Sequence, residues 1–264
     1  MILQLLCTVR GCAQALQREE HRFVCGQSHS FDIARSGYVN LLQPQDRRSR
    51  QPGDTREAVS ARRRFLDRGF GEPLVRAMLD FAPHAESVLD AGCGEGYHLN
   101  AFHGERHGVD ISVPAIDAAA RRYPQCHWVV ANADRFLPYA DNSFDLITSI
   151  TARINAPQFA RTLRSGGHVL VALPAPDDVI ELREAILGEG KLIDRTGRVI
   201  DEMRDHFTLE KQARAAHVAR LDPDAIRDVM SSSYRGLRVS QRERMEQMRE
   251  MEVTMSRDLL LFAK

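Results

Sequence analysis

Short apolar runs alternate with amphipathic stretches through the middle of the chain. "SVLDAG" (87–92), "RHGVDIS" (106–112), "CHWVVANA" (126–133), "FDLITSIT" (144–151) and "HVLVALPAP" (168–176) have the length and β-branched content of buried strands. Between them, "YHLNAFHG" (97–104) begins a helix, "VPAIDAAARRYP" (113–124) is a helix stopped by Pro124, and "QFARTLRSGG" (158–167) is a helix capped by two glycines. This β-α-β-α alternation predicts a parallel sheet with helices on both faces, an α/β fold. Upstream, "TREAVSARRRFLDRG" (55–69) sets Val59 and Phe65–Leu66 near helical spacing, with Gly69 as its C-cap. "PLVRAMLDFA" (73–82) opens on Pro73 and places Leu74, Val75, Met78 and Leu79 on one side. After Pro176 the pattern predicts helices at "DDVIELREAILG" and "DPDAIRDVMSSSY", and strands at "KQARAAHVARL" and "EVTMSRDLLLFAK".

The N-terminal part has a different texture. Residues 1–35 read as a small hairpin knuckle with "RFVC" as one strand, and 36–54 have neither helical nor strand period. The division expected is a metal-binding module over 1–35, a basic connector with its leading helix over 36–72, and the α/β domain over 73–264. The 264 residues, 43% hydrophobic and 27% charged, suit a globular chain of that size. A net charge of +0 excludes a general attraction to polyanions, but the first 70 residues hold 12 Arg against 7 Asp and Glu. No stretch approaches the roughly 18 apolar residues that span a bilayer. The start "MILQLLCTVRGC" lacks a basic leader, so a cytoplasmic protein is expected with no membrane partner. Five unevenly placed cysteines argue against a disulfide framework.

Two motifs carry chemistry. Cys7, Cys12, Cys25 and His29 form C-x4-C-x12-C-x3-H. Three thiolates and an imidazole suit tetrahedral Zn(2+), and four protein ligands leave no open position, so the site would be structural. His21 is an alternative to His29, and the long first spacing leaves open that Cys7 and Cys12 are simply buried thiols. The second motif, "VLDAGCGEGYH", puts Asp90, Gly92, Gly94 and Gly96 at a strand-to-helix turn. Glycines there permit positive φ and close approach of a ligand. The next strand ends in Asp110, where an acid can take ribose hydroxyls. Cys93 and Cys126 are read as packing residues.

"LDAGCGEGYH", "GVDIS", "ANADRFLPYADNSFDLI" and "LRSGGHVLVALP", in that order, resemble the class I S-adenosylmethionine-dependent methyltransferases. The resemblance implies a seven-stranded Rossmann-like sheet and S-adenosyl-L-methionine as cofactor. It implies that Gly92, Gly94 and Gly96, with Asp90, Tyr97 and His98 around them, hold the methionine moiety. Asp110 would hold the ribose, and Asn132 with Ala133 the adenine, Asp134 competing by a one-residue shift in register.

The connector makes the resemblance narrower. "C-G-Q-S-H-S-F-D-I-A-R-S-G-Y-V-N-L-L", "R-S-R-Q-P-G-D" and "A-R-R-R-F-L" are similar to the N-terminal region of bacterial 23S ribosomal RNA guanine-N1 methyltransferases. That family implies methyl transfer to N1 of a guanine in a 23S ribosomal RNA hairpin, RNA recognition by the zinc ribbon, and homodimers. Arg47, Arg48, Arg50, Arg62, Arg63 and Arg64 would be suited to phosphates, or else paired with nearby acids. Tyr38 and Phe31 would stack on bases or pack the connector onto the core. Guanine N1 must lose its proton, but no catalytic base is identifiable from the sequence. The segment expected to border the target base is "TARINAP" (151–157), where Asn155 stands in place of the family's aromatic residue. Methylation of another RNA position or of a small molecule, or RNA binding without turnover, are the alternatives.

Overall fold

A computed structural model describes residues 3–47, 49, 51–188, 190–233 and 238–264. The strands are β1 (Leu16–Arg18), β2 (Arg22–Cys25), β3 (Ser30–Asp32), β4 (Val39–Asn40), β5 (Ser87–Ala91), β6 (Glu105–Asp110), β7 (His127–Val130), β8 (Phe144–Ile150), β9 (Leu163–Pro174), β10 (Thr208–Leu221) and β11 (Met251–Ala263). The helices are α1 (Arg56–Asp67), α2 (Glu72–Phe81), α3 (Tyr97–Asn100), α4 (Val113–Arg122), α5 (Ala156–Thr162), α6 (Ile180–Leu182), α7 (Thr196–Met203), α8 (Pro223–Ser233) and α9 (Val239–Gln247). β1–β3 form a small antiparallel sheet. The other eight strands form one sheet in the order β10-β11-β9-β8-β5-β6-β7-β4.

Seven of those eight strands are the sheet expected from the pattern. The eighth, β4, comes from the connector and pairs in parallel with β7 through Val39–Val129 and Asn40–Val130. The aperiodic stretch is therefore partly an edge strand, too short to show a period. β4 to β9 run parallel, whereas β11 lies antiparallel between β9 and β10. The chain builds β5, β6 and β7 to one side and then returns to place β8 beside β5. That reversal opens a crevice at the carboxyl ends of the strands.

Local chemistry explains the helix limits. Thr55 caps α1 by accepting from the Ala58 N–H, and Gly69 at φ +86° follows its end. Ser112 caps α4 in the same way through the Ala115 N–H. Three readings of the pattern need correction. α2 buries Met78 but leaves Leu79 38% exposed, so its apolar face is narrower than expected. The "YHLNAFHG" helix is only four residues long. The helix before "LRSGG" stops at Thr162, because Leu163 is already extended and pairs with Phe144 at the start of β9. Tertiary pairing outweighs the two glycines as a stop signal there.

The N-terminal module is docked onto the sheet domain. The Leu6 N–H donates to Pro138 O, the Ala140 N–H donates to Gln4 O, and Leu5 bridges Tyr139. Leu3, Leu5, Leu16 and Phe31 join the same buried cluster as Tyr139, Phe144 and Phe159. No helix among the described residues is long and apolar enough to cross a membrane.

Candidate functional site

Two sites emerge, one in the small module and one at the carboxyl ends of the strands. In the module, Cys7 and Cys25 Sγ each lie 3.4 Å from His29 Nδ1, and Cys12 Sγ lies 3.8 Å from Cys25 Sγ. All four ligand atoms fall within 4.8 Å of one another, and none of the cysteines is in a disulfide. A tetrahedral zinc, with bonds of about 2.3 Å to sulfur and about 2.0 Å to nitrogen, sets S···S edges near 3.8 Å and S···N edges near 3.5 Å. The donors fit that ion. The long first spacing is accommodated by left-handed backbone at Gly11 and Ala13, which returns Cys12 toward Cys7. Burial pushes the Cys7 thiol up, to about 12. Cys25 is also desolvated, but backbone N–H groups of Gln27 and His29 outweigh this and hold it down, to about 7. His21 points to solvent beside Glu20 and takes no part.

A second trio, Glu105, His107 and His127, lies at the amino ends of β6 and β7. Its two imidazoles stack with centroids 4.5 Å apart and planes at 22°, so their in-plane lone pairs run side by side instead of converging on one point.

The larger site is a cavity of about 890 Å³. Asp90, Gly92, Gly94, Tyr97, His98, Asp110, Asn132 and Ala133 all line it. Gly96 does not. It sits at φ +81° and packs against the Trp128 ring so closely that a Cβ would overlap the indole. Gly92, at φ +87°, faces Ala152 at a similarly forbidding distance. The third glycine thus seats the loop on the sheet, and the first lets the "TARINAP" segment approach.

The acids are held in defined directions. Asp110 Oδ2 accepts the Gly94 N–H at 2.9 Å and Oδ1 accepts the Ser112 N–H at 2.8 Å, so the glycine loop and the acid are one unit. Desolvation raises the Asp110 pKa despite those two bonds. Asp90, 1% exposed, accepts from the Thr148 hydroxyl at 2.9 Å. Burial pushes its pKa up to about 7, the Thr148 bond opposing and the nearby Asp110 adding. Burial, with Arg257 and Arg62 nearby, holds His98 down at about 4, so its imidazole is neutral at pH 7.

Asn132 lines the cavity and donates from its amide to Asp46 O of the connector at 2.9 Å, which fixes its side chain. Asp134 is 44% exposed and lies 3.5 Å from Arg153 at the rim. Asn155 donates to Ala133 O at 2.9 Å, so the residue standing in for the aromatic one fixes the adjoining loop. Thr151, a β-branched residue at φ +55°, carries strained backbone at the cavity edge.

Among the lining residues that the sequence reading did not place in this site are Gly53, Asp54 and Arg62, the last expected to meet phosphates or acids. A Cβ on Gly53 would come within 2.6 Å of Ser112 Cβ, and Asp54 O accepts the Ser112 hydroxyl at 2.7 Å. The signal was the "PGD" that ends the connector. Phe31 is buried in the core, and Tyr38 is half-buried against the neighbouring cluster.

Three of the arginines of α1 are paired with acids, although Arg64 stays 61% exposed. Arg62 pairs with Asp54 at 2.6 Å, Arg63 with the buried Glu95 of the glycine loop at 2.7 Å, and Arg64 with Asp228 at 2.5 Å. The expectation that they are laid out for phosphates gives way to its alternative. Arg47 is exposed, and Arg48 and Arg50 lie outside the described residues.

The "RlmA, N-terminal" zinc-ribbon family matches residues 6–50, and a methyltransferase domain family matches 88–171. The 23S rRNA (guanine(748)-N(1))-methyltransferase of Streptomyces fradiae is 34% identical over 232 residues, 83% of this chain and 81% of its own length. Relatives from Micromonospora griseorubida and Bacillus subtilis, provisionally named as 23S rRNA (guanine-N(1)-)-methyltransferases, are 32% and 30% identical over 84% of this chain and 82% and 77% of theirs. Among solved structures, the YcgJ protein of Bacillus subtilis superposes with a TM-score of 0.53 at 17% identity, over 72% of this chain and 97% of that one, a likeness of fold. The chain belongs to the family of S-adenosylmethionine-dependent 23S ribosomal RNA guanine-N1 methyltransferases with an N-terminal zinc ribbon.

Proposed function

We propose that this protein transfers the methyl group of S-adenosylmethionine to N1 of a guanine in a hairpin loop of 23S ribosomal RNA. The observation that carries the reading is the match to the Streptomyces fradiae enzyme across both the zinc ribbon and the sheet domain. In this reading residues 1–35 recognise the RNA, 36–72 join the module to the sheet, and 73–264 carry the reaction. Cys7, Cys12, Cys25 and His29 hold the zinc, which is structural. A homodimer of the chain acting in the cytoplasm completes the proposal, and sedimentation of the purified protein tests the dimer.

The cavity residues support specific roles. Gly92 and Gly94 leave backbone open to the methionine moiety, and Asp110, oriented by two N–H donors, keeps lone pairs for the ribose hydroxyls. Asn132 offers its carbonyl oxygen, and Ala133 an apolar surface, to the adenine. The cofactor, when bound, supplies an electrophilic methyl. The protein's task is then alignment of the acceptor and removal of the N1 proton. A target in a hairpin loop can be unstacked at modest cost and brought to such a site.

A methyl on guanine N1 blocks the Watson–Crick edge and stops reverse transcriptase. The expected result is a stop on 23S ribosomal RNA that disappears when the gene is deleted, and that purified protein with cofactor restores. Retention of every stop in the deletion strain would overturn the proposal.

A further inference from the structure

The cavity carries charges of both signs. Around the glycine loop it holds Asp54, Asp90, Glu95 and Asp110, with Asp54 paired to Arg62 and Glu95 to Arg63. The rest of the lining, after β8 and β9 and along the facing parts of β10 and β11, carries Arg153, Arg183, Arg195, Arg214 and Arg257. Two of these are matched by acids: Arg214 by Asp258 through bonds of 2.9 and 3.2 Å, and Arg257 by Asp178. The other three are not matched in that way. Arg183 donates to two carbonyls, Pro176 O at 2.6 Å and Lys191 O at 3.1 Å, and has no carboxylate within ion-pair distance among the described residues. Arg195 is exposed and reaches only Ile193 O, at 3.4 Å. Arg153 is 72% exposed and meets Asp134 only at 3.5 Å. Carbonyl partners orient a guanidinium without cancelling its charge.

We propose that Arg153, Arg183 and Arg195 form a phosphate-binding rim for the RNA strand that flanks the target guanine. This rests on the acceptor reading above and adds residues to it. Three arguments converge. Arg153 stands on the loop after β8, against Asp134, while Arg183 and Arg195 stand on the segment that joins β9 to β10, and all three line the cavity. The whole chain is neutral, so an RNA strand needs local charge to hold it. In the arginine-rich helix that looked suited to that task, Arg62, Arg63 and Arg64 are each closely paired, with Asp54, Glu95 and Asp228. The polarity also fits the reactants, since acids suit a sulfonium-bearing donor and arginines a polyanionic acceptor.

The test uses full-length protein and the shortest unmodified 23S transcript that the wild type methylates. For R153Q/R195Q, affinity for that RNA should fall roughly 5–10-fold at moderate salt, and the slope of log K against log salt should drop by about 0.7 per lost phosphate contact. The loss should fall on KM more than on kcat, with cofactor affinity unchanged. R153K/R195K keeps the charge and should recover most of the slope. Arg64→Gln, which breaks the pair with Asp228, should lower Tm and leave the slope alone. An unaltered slope in R153Q/R195Q with methyl transfer intact would sink the rim alone. Absence of transfer by the wild type to any 23S transcript would sink the acceptor assignment, and the rim with it.

Discussion

Inside the sheet domain, Leu89, Ile147, Phe144 and Leu170 are wholly buried between layers of helices, and the two faces of the sheet each have their own apolar cluster. In the N-terminal module, between Leu3 and Asp32, the buried side chains are Leu3, Leu5, Leu16 and Phe31 with Cys7 and Cys25. The apolar ones lean on Tyr139 and its neighbours instead of forming a core of their own. A segment of that size cannot bury enough surface to offset its chain entropy, so the metal supplies what packing does not. The contrast teaches where each region is vulnerable: the sheet to loss of volume, the module to loss of one ligand.

The sharpest way to break that contrast is Cys25→Ala or prolonged chelation. Structural zinc contributes an apparent 10–16 kcal/mol in zinc-finger peptides, roughly the whole stability of a domain. The expected outcome is loss of zinc, proteolytic opening of 3–35, and a sheet that still melts cooperatively and still binds cofactor. Simultaneous collapse of both regions would show that they are one folding unit, and a wild type free of zinc on metal analysis would remove the premise.

A second test probes the sheet through its own weak point, the buried Asp90. Its folded pKa of about 7 lies above its ordinary value of 3.8. Between those values the folded state keeps a proton that the unfolded chain has released. Stability therefore falls as pH rises through that window, by about 4 kcal/mol once pH exceeds both values. Asp90→Asn keeps an acceptor for Thr148 and should flatten the decline in Tm between pH 5 and 8. A variant that follows the wild-type slope would refute the assignment.

The smallest expected effect sharpens the division of labour. Asp110→Ala should weaken cofactor binding by about 10–100-fold, from loss of hydrogen bonds to a charged group worth about 1.5–3 kcal/mol. Zinc content should not change. Calorimetry showing unaltered cofactor affinity would rule out the ribose role.

Much of this was legible before any coordinates. Strands at 87–91, 105–110 and 127–130 and the helix at 113–122 coincide with the apolar runs and caps, because periodicity and capping are local effects. The helices at 196–203 and 239–247 were not foreseen. α9 buries only Met245, so no apolar stripe announces it. The connector's strand β4 was hidden for another reason. Two residues cannot show a period, and only pairing with β7 makes them a strand.

By itself the sequence determined the things that depend on residue type and spacing: a cysteine and histidine cluster with metal-ligand chemistry, the glycine turn with Asp110 one strand later, and the family; that His29 and not His21 joins Cys7, Cys12 and Cys25 needed the fold. Only the tertiary structure decided what each charge is doing. Arg64 meets Asp228 across 164 positions, Arg63 meets Glu95 across 32, and Asn132 reaches the connector across 86. A guanidinium looks the same in the sequence whether it is cancelled by an acid or left charged beside a carbonyl. Ion pairing acts through space over a few ångströms, and only the fold determines which distant carboxylate lies that near.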